Sequence, residues 1–335
     1  MRILIVNVNW IGDVLFSAFL IRCLRKKFPR AFIAALLPQN PAELLKNNPY
    51  LDEIILFDPL RERRFPYCDF GLIKKLKHRQ FDCSIHLHRS FTRRFCAYLS
   101  GIEKRIGYNE KYRGFLLTDK AVSQRGRIHR AEYYFNIAGI LGIEDDGLGL
   151  DLFLEQEELK AMRSFLERQN IKKFCLMHIG ANWQAKKWPL EYWAEFIGLI
   201  KGRYNIDVII SGTESDKKEA EAISRLADSK PLILTGRTTL RELISLIKLS
   251  AVFAGTDTAP LHIAAALSTP AVGIYGPTSP DITGPFRPAG KVVLLKEDIE
   301  CAIPCYKTTC GLKYECMRKV TAQKVSEAIG GILTS

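Results

Sequence analysis

The sequence predicts an α/β protein of two doubly wound, Rossmann-like domains, and three observations lead to this fold class. The chain has 335 residues, more than one core of ordinary size would need. Short apolar runs alternate with helical patterns, as in parallel sheets covered on both faces. The alternation lapses once, near residues 139–151, and then restarts. We therefore expect domains at residues 1–150 and 151–320, followed by a C-terminal helix at 321–335.

The first half contains four predicted strands, each short, mostly rich in Ile, Leu, Val or Ala, and bounded by polar residues. Their sequences are RILIVN, AFIAAL, EIILF and FDCSIHL. The helices that alternate with these strands are predicted to begin near Asp13, Pro41, Asp69 and Ser90. Strand, helix and strand in succession predict a parallel sheet.

The segment GILGIEDDGLGLD, residues 139–151, has the glycines and acids of an interdomain connection, so the boundary is expected between residues 145 and 160. Beyond it we predict the strands KFCLMHI, DVIIS, LILT, AVFAG and AVGIY, with helices beginning near Pro189, Glu214, Thr239 and Thr258. Two such domains are expected to place the carboxyl ends of both sheets along one cleft, where ligands bind. The last helix, with no strand after it, is expected to pack back across the domains.

Composition narrows the class of protein. Apolar residues make up 47% of the chain, which is ample for folded cores. Neither a run of about 18 uncharged apolar residues nor a leader pattern occurs, so we expect a cytoplasmic protein. The formal net charge of +13 predicts an anionic partner: nucleic acid, a phosphorylated small molecule or an acidic membrane face.

Three basic clusters, RERR, HRSFTRR and QRGRIHR, all lie in the first half of the chain. Planar guanidinium groups bind phosphate and carboxylate in a bidentate manner. We therefore expect the anion to meet the first half, and a solvated basic surface is the alternative. The candidate ligands are Arg61, Arg64, Arg89, Arg93 and Arg94.

The nine cysteines fall into two groups. Five lie among apolar neighbours, as reduced core residues do: Cys23, Cys68, Cys83, Cys96 and Cys175. The others, Cys301, Cys305, Cys310 and Cys316, are separated by three, four and five residues, whereas strong zinc signatures use CxxC pairs. We expect a loop held by thiols or disulfides, and a bound metal is the alternative.

The strongest chemical signal is FAGTDTAPLHIAAAL, in which a strand ends at Gly255 and a helix follows. A helix N-terminus offers backbone N–H groups and a positive dipole end, which bind phosphate. Thr256 and Thr258 add hydroxyl donors, and His262 lies one turn into the helix. The alternative is that Asp257 or Thr258 only caps the helix and His262 is a core histidine.

A second phosphate-type site lies in HIGANWQAKKWP. Lys186 and Lys187 are expected to reach the same crevice as Thr258, because both segments leave the carboxyl ends of parallel strands. The alternative for both lysines is a solvent-facing position. The loop SGTESDKKEA offers Glu214 or Asp216 to ribose hydroxyls, and helix capping is an equally good explanation of either acid.

The stretch NWIGDV places a carboxylate, Asp13, directly after a glycine at a helix entrance. One hypothesis makes Asp13 a general base that accepts a proton from a substrate hydroxyl. Gly12 would leave room for a sugar to approach. The alternative is that Asp13 caps the helix.

Several of these motifs resemble the lipopolysaccharide heptosyltransferases, the ADP-heptose glycosyltransferases of family 9, in order and over almost the whole chain. The resemblance is carried by NWIGDV, AKKWP, GTDTAPLHIAAAL with YGPTSP, and the tail CAIPCYKTTCGLKYECM. The first of these and FDCSIHLHRSFTRRFCAYLSGIEKRIGY look most like heptosyltransferase II. The resemblance implies two Rossmann-like domains of the GT-B type, a donor site in the C-terminal half and an acceptor site in the N-terminal half.

Residue by residue, the resemblance implies that Lys186 binds the donor diphosphate and that Asp13 is the base. The donor motif falls on Asp257, Thr258, Ala259 and His262, with Ala259 where many members have glycine. The implied donor is ADP-heptose, moved with inversion to a lipid-linked, phosphorylated inner-core acceptor at the inner membrane face. No essential cofactor or metal is implied, because lysine and a helix end neutralise the leaving diphosphate.

Three other functions are weighed against this one. A nicotinamide-dependent oxidoreductase is disfavoured, because the first turn reads NVNWIGD and lacks GxGxxG spacing. A nucleotide-sugar epimerase of the same architecture would need no separate acceptor site. A basic nucleic-acid binder with a zinc module would explain the charge, but its expected stacking platform and cysteine spacing are missing from the sequence.

Overall fold

The computed structural model describes residues 1–60, 69–109, 114–124, 128–305, 307 and 310–334. The chain divides into two compact units, Met1–Phe153 and Leu154–Ser335. No described helix is long and apolar enough to cross a membrane.

Unit 1 is a six-stranded parallel sheet with helices between its strands. Its strands are β1 (Arg2–Val6), β2 (Phe32–Leu37), β3 (Glu53–Leu56), β4 (Cys83–His86), β5 (Lys104–Tyr108) and β6 (Asp119–Ala121). Its helices are α1 (Ile11–Lys27), α2 (Gln39–Ala42), α3 (Phe70–Arg79), α4 (Phe91–Leu99) and α5 (Arg130–Phe135).

Unit 2 contains a second six-stranded parallel sheet. Its strands are β7 (Phe174–His178), β8 (Asp207–Ser211), β9 (Leu232–Ile233), β10 (Val252–Thr256), β11 (Ala271–Ile274) and β12 (Val292–Leu295). Its helices are α6 (Gln156–Arg168), α7 (Leu190–Tyr204), α8 (Lys217–Leu226), α9 (Leu240–Leu249), α10 (Ala259–Ala266), α11 (Pro280–Thr283), α12 (Glu315–Arg318) and α13 (Ala322–Leu333).

Both sheets have the doubly wound strand order, which confirms the predicted fold class. The order is β3-β2-β1-β4-β5-β6 in unit 1 and β12-β11-β10-β7-β8-β9 in unit 2. In each sheet all strands are parallel, but the side on which successive strands are added changes at the first and fourth strands of the unit, β1 and β4 or β7 and β10. Ligands of such sheets bind at the carboxyl ends of the strands beside this switch point.

Local sequence explains where several helices begin. Asp69 and Ser90 are N-cap residues whose side chains accept from the backbone N–H of Leu72 and Arg93. Thr239 caps α9 in a reciprocal pair with Glu242. These are the positions at which the sequence predicts helix starts, since Asp, Ser and Thr satisfy the first N–H groups of a helix.

Strands β5, β6 and β12 were not predicted. β5 begins with Lys104 and Arg105, β6 has three residues, and β12 is a half-buried edge strand. β5 and β6 carry little of the apolar pattern that marks a central strand, whereas β12 is apolar, VVLL, but has only four residues and lies at the edge of the sheet. The helix predicted near Pro41 is only the four-residue α2.

Helix α13 packs inside unit 2, with Val325 and Ile329 in the core that also contains Trp193 and Phe196 of α7. The Tyr204 hydroxyl donates to the Ser326 carbonyl oxygen at 3.0 Å. Just before α13, the Val320 carbonyl oxygen accepts from Trp188 Nε1 at 2.7 Å. The described contacts of the last helix therefore complete the core of unit 2 and hold the segment that carries AKKWP.

Candidate functional site

The switch point of unit 2 brings together the two loops that the sequence marks for a phosphate. β7 pairs with β10, with His178 opposite Gly255. The loop after β7 forms a 3-10 turn over Gln184–Lys186, and the loop after β10 leads into α10 at Ala259. Both loops therefore leave the same edge of one sheet.

Lys186 and Asp257 form a close ion pair at this edge. Lys186 Nζ lies 2.7 Å from Asp257 Oδ2 and 3.1 Å from the Asp257 carbonyl oxygen. His262 Nε2 lies 3.7 Å from Asp257 Oδ1, and Thr283 Oγ1 donates to Asp257 Oδ2 at 3.3 Å. The side chains of Lys186 and Asp257 are 20% and 4% exposed, so the ammonium lies at the rim and the carboxylate beneath it.

Electrostatics keep Asp257 ionised. Burial alone would raise its pKa, but a hydrogen bond from His262 and the charge of Lys186 outweigh it and hold the pKa below its ordinary value. Tyr275, which follows β11, has its pKa raised well above the usual range by burial and by the charge of Asp257. The site therefore pairs one fixed anion with the ammonium and keeps a neutral phenol beside it.

The N-terminus of α10 is not closed by its own cap residue. Thr258 is the N-cap but makes no side-chain cap hydrogen bond; its hydroxyl lies 3.3 Å from the Thr256 carbonyl oxygen. The Thr256 hydroxyl is buried and makes no hydrogen bond within the described part of the chain. The proposed capping role of Thr258 is therefore wrong, and Asp257 is occupied by Lys186 and Thr283. Ala259 is the first residue of α10.

The structure does not bring Lys187 into this cluster. Its ammonium lies 2.7 and 2.8 Å from the two carboxylate oxygens of Glu219 and 3.6 Å from Asp216 Oδ1. Asp216 is itself buried and accepts from the backbone N–H and hydroxyl of Thr213, which is the capping role offered as an alternative. Glu214 is exposed and pairs loosely with Lys217, so its side chain is accessible to a ligand.

Asp13 lies at the corresponding switch point of unit 1, in the first turn of α1. Its Oδ1 is 3.7 Å from Nε of Arg130, the first residue of α5. The N-cap of α1 is Trp10, which makes no side-chain cap bond and is 67% exposed. Asp13 is thus an accessible carboxylate beside a cation, and its role as base or as partner of the helix dipole stays a prediction.

The acceptor arginines divide into three groups. Arg61 and Arg64 lie outside the described residues. Arg89 is half-buried after β4. Arg93 and Arg94 are 1% and 0% exposed, so their assignment as direct acceptor ligands is corrected.

The contacts of Arg93 and Arg94 explain this burial. Arg93 donates to the Asn7 carbonyl oxygen at 2.8 Å and to Asn9 Oδ1 at 2.7 Å, while its guanidinium lies 4.2 Å from the Phe57 ring centroid. Arg94 donates to the Tyr108 carbonyl oxygen at 3.1 Å. Both cations are thus directed at oxygens inside unit 1, although the buried Nε atom of Arg94 makes no hydrogen bond with any described residue. Arg93 links α4 to the loop that precedes Asp13.

The histidine of the same basic segment carries no positive charge near neutral pH. Burial, together with the charges of Arg93 and Arg94, lowers the pKa of His88 to about 3. Its Nδ1 accepts from the Ser90 backbone N–H at 3.0 Å. A sequence reading that counts His88 within a basic cluster therefore overstates the charge there.

Sequence analysis gave no role to Thr283 or Tyr275, which border Asp257 from beyond β11. Tyr275 was quoted only as the first residue of the motif YGPTSP, and nothing in the local sequence marks Thr283, which lies 26 residues from its partner. The adjacent order of β10 and β11 is what brings this part of the chain to the site.

The four C-terminal cysteines are free thiols that grade from exposed Cys301, through half-buried Cys305 and Cys310, to buried Cys316. Burial first, and then the nearby Cys310 and Cys301, raise the pKa of Cys316. Within the described residues no three His, Cys, Asp or Glu side chains are arranged to hold a metal ion. Whether this loop functions through thiols, disulfides or a metal stays a prediction.

Comparison with known proteins places these features in a family. Lipopolysaccharide heptosyltransferase 2 of Escherichia coli strain K12 is 28% identical over 316 residues, 88% of each chain. Lipooligosaccharide heptosyltransferase 2 of Haemophilus influenzae is 26% identical over 314 residues, 89% of each chain.

Solved structures agree. The E. coli ADP-heptose lipopolysaccharide heptosyltransferase II superimposes with a TM-score of 0.84 at 25% identity, over 100% of this chain and 99% of that one. A family 9 glycosyltransferase from Veillonella parvula gives 0.86 at 21% identity over 99% and 97%, a likeness of fold.

The sequence model described as glycosyltransferase family 9 (heptosyltransferase) matches residues 70–314, which include the whole Lys186, Asp257 and His262 cluster. The resemblance inferred from the motifs is confirmed, and an enzyme that transfers a sugar is favoured over the epimerase and the nucleic-acid binder. The chain belongs to glycosyltransferase family 9, the heptosyltransferases.

Proposed function

We propose that this glycosyltransferase moves heptose from ADP-heptose, with inversion, to the inner core of a lipid-linked lipopolysaccharide precursor. One observation carries the proposal: in a chain of family 9, Lys186, Asp257 and His262 meet at the switch point of unit 2 beside the N-terminus of α10. Relatives named as lipopolysaccharide and lipooligosaccharide heptosyltransferases support the acceptor class.

The donor diphosphate is assigned to Lys186 and the first turn of α10. An ammonium group has three donors, and the contacts with Asp257 direct two of them at oxygens of that residue. The third is available to a phosphate oxygen, and the positive end of α10 favours the same anion. Thr256, Thr258, Ala259 and His262 border this position, and the exposed Glu214 is assigned to the ribose.

Asp257 acts here as a positioning residue for Lys186. Its carboxylate stays ionised under burial because His262 and Lys186 favour the charged form. A long, flexible lysine side chain is thereby held in one place before the donor binds. Preorganised positive charge stabilises ADP as negative charge grows on the leaving oxygen, so the proposed reaction assigns no step to a metal.

Asp13 is assigned as the general base. As the acceptor hydroxyl oxygen attacks the anomeric carbon of heptose, its proton passes to an Asp13 carboxylate oxygen, and the bond from that carbon to the ADP oxygen breaks. A single displacement of this kind inverts the anomeric carbon. Arg130 Nε lies 3.7 Å from Asp13 Oδ1 and places a positive charge beside the proposed base.

The anionic acceptor is assigned to unit 1 because that unit is the more basic one. It contains 25 of the 49 Lys and Arg residues but 16 of the 36 Asp and Glu residues, a formal net charge of +9. Arg89 and Arg130 are half-buried members of its basic clusters. We assign the protein to the cytoplasmic side of the inner membrane as a peripheral enzyme, where a lipid-linked acceptor would be available.

The test is a transfer assay with ADP-heptose and a purified heptose-deficient inner-core acceptor. We expect ADP release that requires the acceptor, and an NMR spectrum of the product that shows the anomeric configuration opposite to that of the donor. Incubation with ADP-heptose alone is the control. Isomerised donor sugar in that control, with no transfer, would instead establish an epimerase, and a retained configuration would refute the single displacement.

A further inference from the structure

Helix α4 buries charged side chains and turns apolar ones outward, the reverse of the usual arrangement. The side chains that point into unit 1 include two arginines, and the residues turned into the core are Thr92, Arg93, Arg94, Cys96 and Ala97. The outer face, with helical spacing of four, three and one residues, carries Phe91, Phe95, Tyr98 and Leu99. Tyr98 and Leu99 are 51% and 41% exposed. A helix at a water-facing surface normally presents charged side chains instead.

A fifth side chain extends this apolar face. Phe115 is 69% exposed, and its ring centroid lies 6.2 Å from that of Phe91. Phe91 in turn stacks on Phe95 at 5.6 Å with an interplanar angle of 15°. We refer to Phe91, Phe95, Tyr98, Leu99 and Phe115 as the α4 surface. Tyr98, Leu99 and Phe115 are exposed, and Phe91 and Phe95 are half-buried. Neighbouring apolar side chains open to solvent mark a binding surface, whereas single ones do not.

Basic side chains border the α4 surface. The Arg105 guanidinium lies 5.3 Å from the Tyr98 ring centroid and donates to the carbonyl oxygens of Leu116 and Glu103. Arg89 lies two residues before Phe91, where α4 begins. The unit as a whole carries a formal charge of +9. Aromatic rings beside arginines fit the interface of an anionic bilayer, where rings enter the headgroup region and cations meet lipid phosphates.

The position of the α4 surface links it to the proposed reaction. Helix α4 begins at the carboxyl end of β4, next to β1. Arg93, on the inner face of α4, donates to Asn7 and Asn9 in the loop that leads to Asp13. Helix α4, which carries the α4 surface, is therefore hydrogen-bonded through Arg93 to the loop that precedes the proposed base.

We infer that the α4 surface docks on an anionic lipid bilayer and so holds the enzyme where the lipid part of its acceptor is embedded. The inference rests on the proposed function for the identity of that acceptor. A bilayer is favoured over a second copy of the chain because like-charged units of +9 repel each other, whereas an anionic bilayer attracts them.

The experiment measures co-sedimentation of the full chain with vesicles of phosphatidylethanolamine and phosphatidylglycerol, and with vesicles of phosphatidylcholine. The wild-type protein should bind the anionic vesicles, and binding should weaken as salt rises. The variant Tyr98→Ser/Phe115→Ser should bind them at least about tenfold more weakly, because two interfacial rings are lost. Leu226→Ser removes a side chain that is 62% exposed in unit 2 and is the matched control, with binding unchanged.

The readouts separate this inference from the proposed function. In the double variant, ADP affinity and transfer to a deacylated, water-soluble acceptor should match wild type, while transfer to acceptor in vesicles falls. If the wild-type chain binds vesicles but transfers heptose to neither acceptor, only the proposed function fails. If the double variant binds vesicles as well as wild type does, the inference is wrong. It is also wrong if the wild-type chain is a dimer that the double variant dissociates while vesicle binding stays unchanged. Phe115→Ser alone repeats the test if the double variant does not fold.

Discussion

Replacing Lys186 with Met tests the donor site most directly, since Met keeps most of the aliphatic stem and removes only the charge. In the free protein the change deprives Asp257 of a contact at 2.7 Å and leaves a carboxylate that is 4% exposed. Removing one partner of a buried ion pair costs about 3–5 kcal/mol. His262 and Thr283 remain near the carboxylate, and Lys186 is partly exposed. We therefore expect Lys186→Met to lower the free energy of unfolding by only about 1–3 kcal/mol.

The effect on the donor should exceed the effect on stability. A hydrogen bond to a charged group contributes about 1.5–3 kcal/mol, so its loss from the diphosphate weakens ADP binding about 10- to 100-fold. Calorimetric titration with ADP measures this, and thermal unfolding measures the stability of unit 2. Lys187→Met is the matched control: that lysine pairs with Glu219 and Asp216, so its loss should leave the Kd of ADP within about threefold of wild type.

The variant Lys186→Met/Asp257→Asn completes a double-mutant cycle. Removing the carboxylate eliminates the uncompensated buried charge and its repulsion of the diphosphate, so the double variant should be more stable than Lys186→Met and should bind ADP more tightly. An unchanged Kd in Lys186→Met would show that the diphosphate binds elsewhere. A double variant no better than the single one would refute the positioning role of Asp257.

Three further predictions concern the base and the buried ion pairs of unit 1. Asp13→Asn should keep the melting temperature and the Kd of ADP but lower kcat about 10²-fold or more, as measured by ADP release; near-normal turnover would leave Asp13 a structural role only. Arg22→Met should lower the free energy of unfolding, measured in urea, by about 3–5 kcal/mol, because Arg22 is 1% exposed and donates to Asp146 at 2.7 and 2.8 Å. The control Lys201→Met breaks an exposed ion pair and should lower it by less than about 1 kcal/mol. Arg22 holds the pKa of Asp146 below its ordinary value, so this carboxylate contributes stability above the unfolded pKa of about 3.9 that is lost as pH falls; the melting temperature of Asp146→Asn should therefore decline less steeply with acid than that of wild type.

The fold class could be predicted because central strands and helices carry their own patterns. β1 is apolar from Ile3 to Val6 and β10 from Val252 to Gly255, and helix starts at Asp69 and Thr239 are marked by side chains that cap them. β5 was missed because it begins with two charged residues, and β12 because a run of four apolar residues is too short to identify a strand by its pattern alone.

The candidate site was predictable to the extent that topology implies proximity. Lys186 and Lys187 were expected to reach the crevice of Thr258, because parallel strands end at the same edge of a sheet. Lys186 does so and pairs with Asp257, the residue before Thr258, whereas Lys187 pairs with Glu219. The contribution of Thr283, from beyond β11, was not predictable, since it depends on which strand lies next to β10.

By itself the sequence determined the α/β class, the two-domain plan and the family, because these depend on periodicity and on motifs that are local in the chain. Tertiary structure alone decided which charged side chains are accessible to a ligand and which are paired inside the protein. The arginines of HRSFTRR look alike as a basic run, yet Arg93 is buried against Asn7 and Asn9 whereas Arg89 is half-exposed. The adjacent Lys186 and Lys187 face different carboxylates for the same reason. Charge on a side chain is a property of its residue type, but its partner is set by the elements that pack around it.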